Sequence, residues 1–449
     1  MAMTQLIASS KLKVVAGLGV TGLSVARHLN EMGERFVVLD SRTNPPCLAQ
    51  LQSELPEVSL VLGELNDDAF LGADEVILSP GLSRQHPAVK TAVEAGIPVI
   101  GDIELFARCT SAPIVAITGS NGKSTVTTLV GEMFAEAGID AAVGGNLGVP
   151  VLDLLAPNVA YYVLELSSFQ LESVLALNAE VATVLNISLD HMDRYQSLLD
   201  YHQAKHRIFI GARQVVTNRD DRLSAALVGD TVKQWSFGLD QPDFKGFGLR
   251  QHQGEPWLYY QFEPLMAERE LGMTGRHNTA NALAALALGT AAGLPMDPML
   301  AVLRRFEGLP HRCQRVATRN GVTYINDSKA TNVGATLAAI AGLRGADNLV
   351  LIAGGQGKGQ DFAPLASALQ GAVRQLILMG EDAAVIGDAV AGTVPVLFAT
   401  GLDAAVKVAA QVAKSGDIVL LSPACASFDM FQGFADRGEQ FVRAAEALQ

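Results

Sequence analysis

A lysine, a serine and a threonine that directly follow a glycine-containing turn carry the strongest chemical signal in the sequence. Residues 114–125 read IVAITGSNGKST, so a β-branched run leads into the turn and Lys123 opens a helix predicted over 126–137. Backbone N–H groups of such a turn can face one phosphate, and the helix N-terminus adds partial positive charge. Lys123 can then reach the β- and γ-phosphates of a nucleotide, and the Ser124 hydroxyl can bind Mg²⁺. The segment therefore predicts a nucleoside triphosphate site.

The spacing within this turn is more compact than in the common phosphate loop. Two residues separate Gly119 from Gly122 and Lys123, where the common pattern has four. A tight strand-to-helix turn that binds nothing is the alternative interpretation. The Lys-Ser-Thr triplet at the helix start favours phosphate binding.

Ionisable side chains at two further strand ends are candidates to complete the site. Glu165 follows the buried run 161–164, and an acid at such a position can hold the metal ion of a phosphate loop. A structural glutamate that caps Ser167 is the alternative. His191 lies among acids in residues 190–195 (DHMDRY) and follows a strand predicted over 181–185. This setting favours a metal or phosphate role over a packed or surface histidine.

A second glycine loop lies near the start of the sequence. Residues 17–22 (GLGVTG) follow a strand and open a helix, and Asp40 ends the next strand, which is the pattern of a dinucleotide-binding loop with an acid on the ribose. A nicotinamide-dependent oxidoreductase is therefore a rival hypothesis, and a nucleotide-binding switch without enzymatic activity is another. The separate phosphate loop at Lys123 and the lack of a recognisable hydride-transfer site favour a third role, in which the first loop holds the diphosphate of a nucleotide-linked substrate.

The elements that must position these residues alternate between short β-branched runs and alanine- and leucine-rich helical stretches. Such alternation predicts parallel sheets covered by helices. It restarts after Gly101 and again after the turn 308–310, which predicts three α/β domains. The stretch 244–262 differs from this pattern and predicts a hairpin. Strands are predicted at 13–16, 36–39, 76–78, 99–100, 114–117, 161–164, 181–185, 348–352, 375–379, 394–398 and 418–421.

The bulk composition limits the classes of function. The chain has 449 residues, 49% of them hydrophobic and 18% charged, which is typical of a well-buried globular protein. A net charge of −13 argues against nucleic acid as the main partner. The four cysteines occur singly, which suits reduced thiols in a cytoplasm better than disulfides or zinc. We see no apolar run of membrane-spanning length and no signal-peptide pattern, so we expect a cytoplasmic enzyme.

Six motifs occur together and in one order along the chain: GSNGKST, ELSSFQLE, DHMDRY, HNTANALAAL, NDSKATN and SPACASFDMF. As an ordered set they resemble the Mur ligases, the amide ligases of peptidoglycan precursor synthesis, over essentially the whole chain. The resemblance implies a Rossmann-like domain at 1–101 for a UDP-linked substrate and a central ATPase-like parallel sheet at 102–308. A Rossmann-like domain at 309–449 would bring the amino acid.

The resemblance also implies sets of functional residues. The implied ATP-binding residues are Gly119, Ser120, Asn121, Gly122, Lys123, Ser124, Thr125, Asn278, Asn281, Arg312 and Asp327. The implied residues for the UDP-linked substrate are Gly19, Val20, Thr21, Asp40, Ser41, Arg42, Gly81, Asn146 and His191. The implied amino-acid site comprises Lys329, Thr331, Lys358, Ser427 and Phe434. The implied catalytic residues are Lys123, Glu165, His191 and Lys205, and the implied metal ligands are Ser124, Glu165, His191 and Lys205.

The reaction that the resemblance implies is a carboxylate activation. ATP would phosphorylate the carboxylate of UDP-N-acetylmuramoyl-L-alanine, and the amine of D-glutamate would attack the acyl phosphate; SPACASFDMF favours D-glutamate over another amino acid or folate polyglutamylation. Two Mg²⁺ ions are expected, one of them on a carbamoylated Lys205, and the enzyme is expected to be a monomer. Without the resemblance, Lys205 would be an ordinary helical surface lysine, and Asn278 and Asn281 would cap a helix.

Overall fold

The computed structural model describes residues 11–65, 67–192 and 194–448. Strands and helices alternate through these residues and build three sheets, so the predicted α/β class with three sheet-based domains is confirmed. In the part of the chain that the structure describes, no helix combines the length and apolarity needed to cross a membrane.

The first sheet is parallel, with strand order β3-β2-β1-β4-β5, and helices cover it. Val14, Val15 and Ala16 of its central strand are fully buried, as expected for a parallel strand covered on both faces. Its strands are β1 (Leu12–Ala16), β2 (Arg35–Asp40), β3 (Ser59–Leu62), β4 (Glu75–Leu78) and β5 (Val99–Gly101). Its helices are α1 (Val20–Glu31), α2 (Leu48–Glu54), α3 (Asp67–Leu71) and α4 (Pro87–Glu94), and α5 (Asp102–Cys109) leads to the next sheet.

The second sheet has the strand order β14-β13-β12-β11-β10-β9-β6-β8-β7 and is parallel except for the meander β12-β13-β14. The predicted hairpin at 244–262 is thus present and gains a third strand. Its strands are β6 (Ile114–Thr118), β7 (Ala141–Gly145), β8 (Tyr161–Glu165), β9 (Val181–Val184), β10 (Gln214–Asn218), β11 (Lys233–Phe237), β12 (Gly246–His252), β13 (Glu255–Tyr260) and β14 (Glu263–Ala267). Its helices are α6 (Lys123–Glu136), α7 (Ser168–Leu171), α8 (Leu198–His206), α9 (Arg276–Ala291) and α10 (Met296–Arg305).

The third sheet has the strand order β15-β16-β20-β17-β18-β19, and only the β15–β16 pair among its described strands is antiparallel. Its strands are β15 (Gln314–Arg319), β16 (Val322–Asn326), β17 (Leu349–Gly354), β18 (Val373–Met379), β19 (Val396–Phe398) and β20 (Ile418–Leu421). Its helices are α11 (Val333–Leu343), α12 (Ala363–Leu369), α13 (Ala383–Ala389), α14 (Leu402–Val412) and α15 (Phe434–Glu446).

The helix predicted after the phosphate loop begins earlier than expected. It starts at Lys123 rather than at residue 126, because Gly122 takes a left-handed conformation (φ +84°) and turns the chain directly into α6. Lysine, serine and threonine therefore form the first turn of the helix. Their backbone N–H groups are among those that an α-helix leaves without an internal partner.

Candidate active site

The phosphate loop joins the carboxyl end of β6 to α6 and is held in place by a neighbouring strand end. The N–H of Ser120 donates to the carbonyl of Asn186 (2.9 Å), and the N–H of Asn121 donates to the Asn186 side chain (2.8 Å). The Ser120 hydroxyl lies between the backbone of Ser188 (2.9 and 3.0 Å) and the hydroxyl of Tyr201 (3.1 Å). These contacts fix the loop, while no described side chain caps the start of α6. The helix end is therefore available to an anion.

Two buried lysines converge on one carbonyl of this loop. Lys123 Nζ donates to the carbonyls of Gly119 (2.8 Å) and Ser120 (3.0 Å), and Lys205 Nζ donates to the same Gly119 carbonyl (2.9 Å). Lys205 is 1% exposed, so it is not the surface lysine that its helix position alone would suggest. Burial and the charge of Lys123 hold the pKa of Lys205 well below its ordinary value. The neutral form of the amine is therefore more accessible at Lys205 than at an exposed lysine.

Glu165 ends β8 beside the loop, as the sequence predicted. Burial disfavours its charge, but the positive charges of Lys123 and Arg312 and the hydrogen bonds from Ser124 and Asn146 together outweigh this and hold the pKa of Glu165 below its ordinary value. Asn146 Nδ2 donates to Oε1 of the carboxylate (2.7 Å), whereas Oε2 is buried and has no hydrogen-bond partner among the described residues. An ionised oxygen without a partner is therefore available here.

His191 begins a turn after β9 and has the left-handed backbone conformation (φ +57°). Its ring packs edge-on against Phe169 with 4.7 Å between centroids, and its Nε2 lies 3.7 Å from Asp190 Oδ2. Burial lowers the pKa of His191, and the positive charges of Lys123, Lys205 and Lys358 lower it further against the opposing effect of Asp190. The imidazole of His191, next to the phosphate loop, is therefore neutral at neutral pH.

Arg312 reaches this loop from the third sheet's domain. Its Nη2 donates to the Ser124 hydroxyl (2.6 Å). Asp327, which follows β16, accepts from the Ser422 hydroxyl (2.8 Å) and the Cys313 N–H (3.1 Å), and burial raises its pKa to about 6. The domain of the second sheet and the domain of the third sheet therefore meet directly at the phosphate loop.

A cavity of about 420 Å³ lies where these parts meet, and it is lined by residues from both. Asn278 and Asn281 of α9 line it and bond to each other, with Asn281 Nδ2 donating to Asn278 Oδ1 (3.2 Å). A Cβ added to Gly122 would lie 2.4 Å from the Asn281 side chain, so α9 packs directly on the loop. The predicted ATP-binding residues that line the cavity are Asn121, Gly122, Thr125, Asn278, Asn281, Arg312 and Asp327.

A separate cavity of about 410 Å³ lies at the carboxyl edge of the first sheet. Asp40 is buried there and holds the glycine loop: it accepts from the Leu18 N–H (2.6 Å) and pairs with Arg42 (2.7 and 2.8 Å). Asn146 and His191, which were predicted for the muramoyl-alanine end of the same substrate, lie beside Glu165 and the phosphate loop. The predicted residues that line this cavity are Gly19, Val20, Thr21, Asp40, Ser41, Arg42 and Gly81.

The residues predicted for the amino acid lie on loops at the carboxyl edge of the third sheet. Lys329 Nζ lies 3.8 Å from the ring centre of Phe434, and burial together with Arg312 and Lys123 lowers its pKa to about 8. Lys358 has a left-handed backbone (φ +52°) on a loop that pairs through Gln356 with Ala426, next to buried Ser427. Thr331 accepts from Gln360 through its carbonyl (3.5 Å).

Several residues at the site were not predicted from the sequence. Tyr201 bonds Ser120 and lies under Lys205, whose Nζ is 4.6 Å from its ring centre. Asn332 Nδ2 donates to Asp190 (3.1 Å) and lies 3.5 Å from Asn121, and thus joins two domains. Fully buried Arg437 bonds the backbone of Ser328, Cys425 and Ala426. Aromatic, amide and arginine side chains on helices and loops have no sequence pattern that distinguishes these roles from ordinary packing.

The side-chain oxygens beside the phosphate loop suit one Mg²⁺ ion. The described residues contain no group of three or more histidine, cysteine, aspartate or glutamate side chains placed to hold a metal. However, Mg²⁺ typically takes one or two carboxylates and completes its shell with water and substrate phosphate. The unpartnered Glu165 oxygen and the Ser124 hydroxyl beside the phosphate loop are such ligands, so the residues present fit one ion.

Comparison with known proteins gives matches along most of the chain. Residues 11–101 match the family model of the Mur ligase MurD-like N-terminal domain, 117–289 the Mur ligase middle domain, and 311–425 the Mur ligase glutamate ligase domain. The UDP-N-acetylmuramoylalanine–D-glutamate ligase of Pseudomonas fluorescens is 57% identical over 446 residues, covering 99% of each chain, and that of Pseudomonas aeruginosa is 56% identical with the same coverage. The structure of MurC from Thermotoga maritima, a UDP-N-acetylmuramate-alanine ligase, superposes with a TM-score of 0.59 at 20% identity, over 97% of this chain and 99% of that one.

Proposed function

The chain belongs to the Mur ligase family, and from this we propose that it joins D-glutamate to UDP-N-acetylmuramoyl-L-alanine with the hydrolysis of ATP to ADP and phosphate. One observation supports the proposal most strongly. A single cavity is lined by the phosphate loop of one domain and by Arg312 and Asp327 of another, beside a loop lysine and an ionised glutamate. Such a site can bring a nucleotide and a separately bound acceptor together.

ATP is proposed to lie in the 420 Å³ cavity, with its adenine near Asn278 and Asn281 and its phosphates at the start of α6. Lys123 now bonds carbonyls of its own loop, and a bound phosphate would offer its amine a stronger, charge-assisted partner. Arg312 would contact the same phosphates from the opposite side. Together these cations would offset charge that develops on the transferring phosphoryl group.

Two Mg²⁺ ions are part of the proposal. Ser124 and Glu165 would hold the first, and His191 together with a carbamoylated Lys205 would hold the second. When bound, such ions neutralise phosphate charge and fix the geometry of the reacting oxygens. A buried Lys205 with a depressed pKa supports carbamoylation, because only a neutral amine reacts with CO₂.

The chemistry begins with the alanyl carboxylate of the UDP-linked substrate. This carboxylate would attack the γ-phosphorus of ATP in line, and ADP would leave. The neutral D-glutamate amine would then attack the acyl carbon of the acyl phosphate, the amine proton would be lost, and inorganic phosphate would depart. Asn146 and His191, which lie beside Glu165 and the phosphate loop, would place the carboxylate between the two cationic sides of the site. Positioning of this kind can contribute roughly 7–11 kcal/mol to lowering a barrier.

The acceptor is proposed to lie among the loops of the third sheet. D-glutamate has two carboxylates, so it requires cations and hydroxyl or N–H donors at both ends. Lys358 and Thr331, whose loops are joined through Gln360, would bind one end. Ser427, Lys329 and the start of α15 at Phe434 would bind the other. The charge of Lys358 contributes to lowering the pKa of His191, which supports an acceptor loop near the proposed carboxylate.

The remaining parts of the proposal concern the whole molecule. We set the domain limits at 1–101, 102–308 and 309–449, each change lying between two sheets. A monomer in the cytoplasm is proposed, where ATP and UDP-linked precursors are available and where Cys47, Cys109, Cys313 and Cys425 would stay reduced. Sedimentation equilibrium would test the monomer directly.

Phosphate release is the measurement that tests the activity. The enzyme would be incubated with ATP, Mg²⁺ and UDP-N-acetylmuramoyl-L-alanine, and separately with D-glutamate, L-glutamate, L-lysine or meso-diaminopimelate. Release with D-glutamate alone is the expected result. Release with a different amino acid would retain the mechanism but refute the acceptor assignment. No release with any acceptor would refute the proposed reaction and return attention to a nicotinamide cofactor, which NADH fluorescence would detect.

A further inference from the structure

Arg194 connects two sites that lie on different domains. Its guanidinium donates through Nη1 to the carbonyl of Pro80 (2.8 Å), and its Nη2 lies 3.5 Å from the carbonyl of Leu82. Pro80 and Leu82 line the 410 Å³ cavity of the first sheet. Arg194 itself belongs to the turn after β9 in the second domain, and its backbone N–H bonds the carbonyl of His191 (2.9 Å). One side chain thus joins the wall of the first sheet's cavity to the turn that carries His191.

The same guanidinium also fixes the surroundings of the His191 ring. It lies over the face of Phe169 (4.2 Å from the guanidinium carbon to the ring centre), while His191 packs against this ring edge-on at 4.7 Å. Glu172 accepts from Nη2 (2.7 Å) and holds the charge of Arg194 in place. The arginine side chain is 14% exposed, so most of it is enclosed by these partners. An arginine fork that bonds carbonyls on one side and stacks on a ring on the other cannot be replaced by lysine without loss of contacts.

We propose that Arg194 is a positioning residue that fixes the spacing between the nucleotide end of the substrate and its reacting carboxylate. The inference rests on the proposed function, in which one substrate spans the first cavity and the His191 side of the phosphate loop. With the loop 79–82 held to the His191 turn, binding of the UDP end places the carboxylate for attack. Binding energy from a remote part of the substrate would thereby be used at the reaction centre.

Two substrates of different length test this inference. One is UDP-N-acetylmuramoyl-L-alanine, and the other is N-acetylmuramoyl-L-alanine 1-phosphate, which lacks the uridine end. In Arg194→Ala we expect kcat and kcat/KM with the full substrate to fall about 30-fold, while kcat/KM with the short substrate falls only about threefold, because the short substrate uses the contact of Arg194 with the His191 turn but not its bond to the 79–82 loop. Arg194→Lys should lie between the wild type and Arg194→Ala.

Arg207 provides a matched control. It is also an arginine of the second domain that bonds backbone carbonyls, those of Leu171 and Val174, but both lie within its own domain. Arg207→Ala should weaken turnover of both substrates by the same factor and lower the melting temperature. The same pattern in Arg194→Ala, an equal loss on both substrates, would refute the positioning role and leave a purely structural one.

A double-mutant cycle is a second, independent test of the role of Arg194. If Arg194 acts through His191, Arg194→Ala should cost at most about twofold in kcat in a His191→Ala background, measured as single-turnover phosphate release with the full substrate. Full additivity of the two losses would contradict the inference. Wild-type release of phosphate with D-glutamate is measured alongside, so failure of the proposed reaction is distinguished from failure of the role given to Arg194.

Discussion

Two glycine loops in this protein have the same strand–loop–helix arrangement and differ in the charged side chains around them. Each follows a strand that has a parallel partner on both sides, and each leads into a helix without a side-chain cap. The charged side chains that line the cavity at the first loop are Asp40 and Arg42, which pair with each other. At the second loop, Lys123 and Lys205 share the Gly119 carbonyl and Arg312 approaches from another domain.

The difference fits the proposal that the first loop binds a diphosphate and the second acts on a phosphoryl group that is transferred. A diphosphate that is only bound needs N–H donors and a close backbone approach, which a neutral loop supplies. A phosphoryl group that is transferred changes its charge distribution, and cations fixed in advance stabilise the transition state more than the ground state. On this view the first loop acts on substrate affinity and the second acts on the rate of chemistry.

Lys123→Ala tests the role of the second loop in the rate of chemistry and should give the largest effect. Without the amine, charge on the transferring group would lose its closest cation, so we expect kcat for phosphate release to fall at least ~10³-fold, or about 4 kcal/mol. KM for the UDP-linked substrate should change little. Lys407→Ala on the exposed face of α14 is the control and should retain wild-type rates. A rise in KM with unchanged kcat would place Lys123 in binding alone and remove the distinction between the loops.

Alanine at two glycines of the first loop should separate folding from binding. A Cβ at Gly22 would lie 1.8 Å from the Gly17 carbonyl oxygen, so Gly22→Ala must displace the loop and should destabilise the protein by about 1–3 kcal/mol, seen in urea unfolding. A Cβ at Gly19 meets no atom within 4 Å, so Gly19→Ala should fold normally. It should instead raise KM for the UDP-linked substrate about tenfold, because the methyl group occupies space where the diphosphate approaches. Normal KM in Gly19→Ala would argue that no phosphate contacts this loop.

Asp40→Asn should have a smaller effect than Lys123→Ala, confined to affinity. The carboxylate is the shared acceptor for Leu18 and Arg42, and its pKa is held below the ordinary value by these bonds against the effect of burial. Loss of a charge-assisted bond costs about 1.5 kcal/mol, so KM for the UDP-linked substrate should rise about tenfold. We expect kcat to stay within twofold, measured at saturating substrate. A loss of kcat equal to that of Lys123→Ala would contradict the division of roles.

The fold was largely predictable, because buried strands and glycine turns leave strong local patterns. The strands missed were β3, β7, β10, β11, β14, β15 and β16. Some of them have weak patterns, since β3 (Ser59–Leu62) is half exposed and β15 (Gln314–Arg319) is mostly polar. In contrast, β10 and β16 contain β-branched residues and are largely buried, so a usable pattern was present there and was not recognised. The sequence also could not reveal that α6 starts at Lys123, since that depends on the left-handed conformation of Gly122.

The site was predictable where its residues form contiguous motifs, and not where they meet only in space. Lys123 and Glu165 follow from strand ends, and the structure brings them together as expected. Arg194 was part of a motif, but its bond to Pro80 joins residues 114 positions apart. Arg437 is fully buried on a helix with charged neighbours, and nothing in that pattern distinguishes it from a surface arginine.

The pH dependence of KM should differ between the acceptor loops and the first glycine loop, and this is the smallest effect that we predict. At the acceptor loops, burial and the charges of Arg312 and Lys123 lower the pKa of Lys329 to about 8. This side chain is therefore cationic below pH 8 and neutral above it, so KM for D-glutamate should rise roughly fivefold between pH 7.5 and 9. At the first loop, the pKa of Asp40 is lowered and the pKa of Arg42 is raised, so neither group titrates in this range and KM for the UDP-linked substrate should stay flat.

Lys329→Arg supplies the control for this last effect, because a guanidinium keeps its charge throughout the range. The variant should bind D-glutamate less well at pH 7.5, since its larger head must fit beside Phe434, but its KM should lose the part of the pH dependence that Lys329 causes. Deprotonation of the D-glutamate amine acts equally on both enzymes and cancels in the comparison. If the variant retained the wild-type pH profile, Lys329 would not be the group that holds the acceptor carboxylate, and the pH sensitivity would have to come from the amine alone.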